Sequence, residues 1–187
     1  MILPIFAYGH PVLKKDAGEI SPDYPELEKL IESMFQTMYH ANGVGLAAPQ
    51  IGLSIRLFVI DASPFAEDEP ALKDFKEVFI NAQIIEEQGT QWRFNEGCLS
   101  IPGIREDVER KPEILIRYQN RNFETIEKKI SGLLARIIQH EYDHIDGVLF
   151  TDRLSQLKKT LIKSKLLKIS KGITDVDYKM KFASHKR

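Results

Sequence analysis

The sequence is short of cysteine, of charge of one sign and of long apolar runs. Cys98 is the one cysteine among 187 residues, so no disulfide can form within the chain. A lone cysteine is either a small buried hydrophobe or a thiol in chemical use. Lys plus Arg number 26 against 27 Asp plus Glu, a formal net charge of −1. That balance excludes a polycation built for nucleic acid, and no DNA partner is expected. No apolar stretch reaches the roughly 18 residues of a membrane span. The opening MILPIFAYGHPVLKK lacks the basic lead, apolar run and small-residue cleavage site of a secretory signal, so a cytoplasmic location is expected. One shortage is local: between residues 153 and 174 there is no acid.

What is present is ordinary globular material, 43% hydrophobic and 28% charged. Ser21 or Asp23 as cap, with Pro25 in the first turn, predicts a helix over 21–43. Leu27, Leu30, Ile31, Met34, Phe35 and Met38 form its apolar face, and Asn42-Gly43 its stop. Residues 56–61, 76–81, 82–88, 113–119 and 123–130 read as strands, and 62–75 as a solvated loop. Ser131 caps a second helix running to Gly147. A third covers 154–169, with Leu154, Leu157 and Leu161 expected on the core. Residues 172–187 read as a polar tail, a candidate for disorder. One catalytic domain is expected over 1–171. Its fold class is α+β: mostly antiparallel β-sheets packed around a central metal-binding helix, with an N-terminal and a C-terminal helix.

That central helix carries Gln139-His140-Glu141-Tyr142-Asp143-His144, an H-E-x-x-H pattern. Residues four apart share a helix face, so His140 and His144 can aim both imidazoles at one ion. Glu141 can then take a proton from bound water. The bland alternative is two surface histidines beside a stray glutamate. Leu133, Leu134, Ile137 and Ile138 argue for burial, and a buried glutamate between histidines needs a partner. The third ligand of the zinc proteases is missing: Phe150 stands where one class has histidine, and the acid-free stretch removes a downstream carboxylate. Cys98, in Asn95-Glu96-Gly97-Cys98-Leu99-Ser100-Ile101-Pro102-Gly103, is the remaining candidate. A thiolate with two imidazoles leaves a fourth position for water. Such a donor set suits Zn²⁺, Fe²⁺, Co²⁺ or Ni²⁺. The stretch Gly43-Val44-Gly45-Leu46-Ala47-Ala48-Pro49-Gln50 is no phosphate loop. It is either a tight connection or bare backbone approaching a ligand, with Gln50 as a neutral donor for an oxyanion.

Taken in chain order, Gly43–Gln50, Glu96-Gly97-Cys98-Leu99-Ser100 and Gln139–His144 resemble the three motifs of the peptide deformylase family, in its bacterial type. The likeness covers about residues 1–155. It includes Tyr8-Gly9-His10-Pro11-Val12-Leu13, where Gly9 and His10 depart from the family's Tyr-Pro-x-Pro-x-Leu. The resemblance implies hydrolysis of the N-formyl group of formyl-methionyl peptides, with release of formate. It implies Cys98, His140 and His144 as ligands of one divalent ion, natively Fe²⁺, and Glu141 as acid/base. Gln50 and the Leu99 N–H would form the oxyanion hole. Gly43, Val44, Gly45, Gly97, Arg105, Leu133 and Ile137 would bind substrate, with Arg136 beside the methionine pocket. A monomer is expected, with ribosome contact through the third helix, whose basic residues are Lys158, Lys159, Lys163, Lys165, Lys168 and Lys171. The rival readings are a zincin-like metalloprotease and a non-catalytic metal- or peptide-binding domain.

Overall fold

The computed structural model describes residues 1–183. In chain order its elements are β1 (Ile5–Phe6), α1 (Leu27–His40), β2 (Gly45–Ala47), β3 (Leu57–Asp61), β4 (Lys76–Gln88), β5 (Trp92–Cys98) and β6 (Ile101–Arg110). There follow β7 (Glu113–Gln119), β8 (Thr125–Ser131), α2 (Gly132–Ile145), α3 (Gln156–Ser170) and β9 (Met180–Lys181). The class is α+β with antiparallel sheets. Five strands form one sheet in the order β2-β3-β4-β7-β8, β5 and β6 form a hairpin, and β1 pairs with β9 in parallel.

Strand β3 shows why the core lies on both faces of the main sheet. Successive side chains of a strand point to opposite faces. Leu57 and Val59 pack with Ile31, Met34, Phe35 and Met38 of α1. Phe58 and Ile60 pack with Leu133, Ala135, Ile137 and Ile138 of α2. Burial on both faces explains an unbroken apolar run where a half-exposed strand would alternate. Helix α2 packs against β2, β3, β7 and β8, and most of its residues are buried. A third cluster joins Ile101, Ile104 and Val108 of β6 to Ile162, Leu166 and Ile169 of α3.

Several boundaries and one face differ from the sequence expectation. Helix α1 starts at Leu27, because Pro25 disfavours helical backbone at Tyr24 and the chain turns there first, with Tyr24 N donating to Ser21 O at 3.0 Å. Ser21 bonds the Asp23 side chain instead of capping the helix. Segments 76–81 and 82–88 are one strand, β4. Its pairing with β7 slips beyond Ile80, beside Asn81, whose φ is 52°. On α3, Leu154 is buried as expected, but Leu157 and Leu161 are 71% and 70% exposed. Ile162, Leu166 and Ile169, four and three apart, make the stripe that docks. The hairpin β5–β6 was not legible as strands, because Gly97, Pro102 and Gly103 read as turn signals and few residues of β6 are large and apolar. The tail that reads as a candidate for disorder contributes a strand at Met180–Lys181. Strand β9 lies on β1, with Ile5 N donating to Lys179 O at 2.8 Å and Ala7 N to Lys181 O at 2.9 Å. Residues 184–187 lie outside the described residues. No described helix is long and apolar enough to cross a membrane.

Candidate metal centre and substrate cleft

Three elements far apart in sequence converge beneath one cleft. Helix α2 supplies His140, Glu141 and His144. The end of β5 supplies Cys98, where the register with β6 shifts between Gly97 and Cys98. Such a bulge re-aims one side chain out of the strand's alternation. The short 3₁₀ turn Ala48–Ile51 supplies Gln50. Donor atoms of Cys98, His140 and His144 all lie within 4.8 Å of one another. Cys98 Sγ is 3.2 Å from His144 Nε2.

The surrounding bonds fix how these donors point. His140 Nδ1 sits 3.0 Å from Glu96 Oε2, which leaves Nε2 for the cluster. Gln50 Oε1 accepts from Ala47 N at 2.9 Å, so its amide NH₂ is the end that faces Cys98 Sγ at 3.5 Å and Ser100 Oγ at 3.3 Å. Glu141 is buried, and its Oε2 has no hydrogen-bond partner. Burial pushes its carboxyl up to about 7. Burial also drives His144 well below the ordinary imidazole value, helped by the charge of His140. Burial works against charge on His140 as well, but its bonds to Cys98 and Glu96 prevail and hold it well above that value. A thiolate, two imidazoles and an unpartnered carboxylate fit a borderline divalent cation with an open position.

Beneath the site lies a buried ionic network. Glu96 accepts from Arg110 at 2.7 and 2.9 Å and from Arg136 at 3.0 Å. Asp143 accepts from Arg110 at 2.7 Å and from Arg153 at 2.6 and 2.5 Å. Although burial opposes ionisation, Arg110 and His140 hold the Glu96 carboxyl well below the usual carboxylate range. The cleft above measures about 520 Å³.

Comparison with known proteins decides the lineage. The model of a family described as polypeptide deformylase matches residues 2–160. The chain belongs to the peptide deformylase family. A peptide deformylase of Christiangramia forsetii is 60% identical over 100% of this chain and 99% of its own length. One from Flavobacterium johnsoniae is 57% identical with the same coverage. Among solved structures, a peptide deformylase from Legionella pneumophila superposes with a TM-score of 0.79 at 39% identity, covering 91% of this chain and 96% of that one. The peptide deformylase from Thermotoga maritima gives 0.75 at 41% identity, over 83% and 99%.

Every residue that the resemblance nominated lines the deformylase cleft or stands at its base. Val44, Leu133 and Ile137 line the cleft together with Phe65 and Phe94, aromatic walls that sequence reasoning missed. Gly43 lies against Leu99, where a Cβ would meet Cδ1 at 2.8 Å. Gly45 lines the cleft as expected, and its bare backbone presses on Glu141, where a Cβ would lie 2.7 Å from both Cγ and Cδ. Gly97 makes room for Arg105, whose Nη1 would be 2.7 Å from a Cβ at that position. Arg105 is held by Asn95 through its side chain at 2.8 Å and its carbonyl at 2.7 Å. Arg136 lines the same cleft beside Leu133 and Ile137. It is buried, and bonds Glu96, Val108 O at 3.0 Å and Trp92 O at 2.7 Å. The supporting residues Glu96, Arg110, Asp143 and Arg153 were assigned no role beforehand.

Proposed function

We propose that this chain removes the formyl group from the N-terminal formyl-methionine of newly made polypeptides, releasing formate, in the cytoplasm. The observation that carries the reading is the convergence of Cys98, His140 and His144 donor atoms within 4.8 Å beside the buried, unpartnered Glu141 carboxylate. A divalent cation bound by those three would supply Lewis acidity and make water acidic enough to attack at neutral pH.

The chain's own groups do the rest. Glu141, with a carboxyl near pKa 7 by burial, takes the proton of the attacking water and delivers it to the leaving amine. The Gln50 NH₂, oriented by Ala47, and the Leu99 N–H face the oxygen on which negative charge builds. One donor of this kind is typically worth about 3 kcal/mol in the transition state. Val44, Leu133 and Ile137 receive the methionine side chain. Gly43 and Gly45 leave backbone free to pair with an extended peptide. A formyl carbon bears only hydrogen, and the close packing of Glu141 on Gly45 disfavours any larger acyl group.

We take Fe²⁺ as the native ion and Zn²⁺, Ni²⁺ and Co²⁺ as replacements, all compatible with one thiolate and two imidazoles. Cys98 is then the point of oxidative loss. We take the chain to work as a monomer. Lys163, Lys165, Lys168 and Lys171 stand exposed on or beside α3 with no acid in that segment, which favours contact with ribosomal RNA.

The deciding experiment measures formate release from formyl-Met-Ala-Ser, and cleavage of the same peptide unblocked, by protein prepared without oxygen. Formate from the first and no cleavage of the second is expected. Cleavage of the unblocked peptide would instead favour a metalloprotease. Glu141→Ala should keep the ion yet lose nearly all turnover, whereas substantial formate release by that variant would remove its assigned role.

A further inference from the structure

The motifs leave one wall of the cleft unexplained. Beyond α3 the chain turns at Gly172 and returns to the cleft mouth. There Asp175, Val176 and Tyr178 line the same cavity as Cys98 and Glu141. The returning segment is pinned twice. The Tyr178 hydroxyl donates to the Leu99 carbonyl at 2.8 Å. Immediately afterwards β9 pairs with β1. The end of β1 is tied to the same turn, since Tyr8 N donates to Ser100 O at 2.9 Å. Both carbonyls that follow Cys98 are therefore held, one by the arm and one by the strand that the arm covers. This arm lies outside the residues 2–160 matched by the family model.

Resting on the deformylase reading of the site, we infer that residues 173–178 form the wall that meets the substrate beyond its formylated residue. Asp175 is a specificity-determining charge, and Tyr178 is a positioning residue that acts through Leu99.

Val176 and Tyr178 are half-buried and give the wall an apolar base, while Asp175 is exposed at the mouth. An extended peptide advances about 3.3 Å per residue, so the residues following the methionine lie outside the methionine pocket and near the mouth. Among the described residues, the exposed charges lining the cleft are Asp175 and Arg105, from two distant segments, and Arg105 is already engaged by Asn95. Asp175 is thus the anion free to attract a basic downstream residue and to repel an acidic one. Fixing the Leu99 carbonyl limits rotation of the peptide groups on either side of it, and an oxyanion donor displaced by about 1 Å loses much of its worth.

The test uses three C-terminally amidated peptides: formyl-Met-Lys-Lys, formyl-Met-Ala-Ser and formyl-Met-Glu-Glu. In metal-loaded protein, Asp175→Lys should lower the lysine-over-glutamate ratio of kcat/KM by about tenfold, less at high salt, the scale of reversing one exposed charge. An unchanged ratio overturns the assignment of Asp175. Calorimetric titration of the same peptides into Glu141→Gln, with and without Asp175→Lys, reads the arm through binding alone. A shift in relative affinity supports the wall, and equal affinities overturn it. These results stand whatever the formate assay says of the reaction. Tyr178→Phe keeps the ring and removes the bond to Leu99. Its kcat should fall about fivefold with KM and melting temperature unchanged, whereas wild-type kcat would reduce Tyr178 to packing.

Discussion

Replacing Gly45 by alanine puts one methyl group where the structure has no room for it. Gly45 belongs to a short buried strand and has no positive φ, so alanine suits its backbone and the collision is the whole effect. The new Cβ would lie 2.7 Å from Cγ and Cδ of Glu141. Carbon atoms rest at about 3.5–4.0 Å, so the glutamate must retreat by about 1 Å. A misplacement of that size in a reacting group costs about a hundredfold in rate, or about 2.7 kcal/mol of activation energy. Formate release from formyl-Met-Ala-Ser by the metal-loaded variant should fall accordingly. Metal content and melting temperature should stay near wild type, because neither the ligands nor the ionic network lies in the path of the methyl group. Gly43→Ala is the control. Its one close contact is Cδ1 of Leu99, the tip of a side chain able to rotate away, with Gly45 O and Met38 Cγ at an ordinary 3.5 Å, and its loss should stay below about fivefold. Near-normal turnover by Gly45→Ala would refute the claim that this glycine exists to seat Glu141.

The other predictions concern what holds the site together. Cys98→Ala should abolish stoichiometric metal by elemental analysis, and full occupancy would remove Cys98 from the ligand set. Glu96→Gln strips a charge that faces two buried guanidinium groups. It should cost about 3–5 kcal/mol in guanidinium unfolding and weaken metal binding about 10- to 100-fold, and an unaltered midpoint would contradict the network. Exchanging Lys163, Lys165 and Lys168 for Glu should remove salt-sensitive ribosome binding in a sedimentation assay, and unchanged binding would sink the contact.

The chemistry was legible because chemistry demands particular residue types at particular spacings. Histidines four apart with an adjacent glutamate read as a helix face, and the missing downstream ligand singled out the lone cysteine. The two-face core was legible in part: Leu57–Ile60 read as a buried strand, although nothing in four apolar residues says which helix each would meet. The face of α3 was misread because leucine spacing alone cannot choose between two apolar stripes. Ile162, Leu166 and Ile169 win because they meet the apolar face of β6, and β6 itself was hidden by the turn signals Pro102 and Gly103.

The residues that orient the site were the least legible, and the reason is physical. Arg110 and Arg136 are of a residue type usual at a solvated surface, and nothing local marks an arginine as destined for burial. Only the approach of β5, β6 and α2 brings them onto Glu96 and Asp143. Burying those charges is costly, and an apolar core of the same shape would often be at least as stable. An apolar core, however, could not hold His140 Nδ1 and leave Nε2 free for the cluster, which Glu96 does at 3.0 Å. Nor could it tie the Asp143 turn of α2 to β6 through one guanidinium, as Arg110 does. The network spends stability on direction: it fixes the angle at which β5 presents Cys98 to the histidine helix, and a sulfur and two imidazoles from these two distant segments form one site only at that angle.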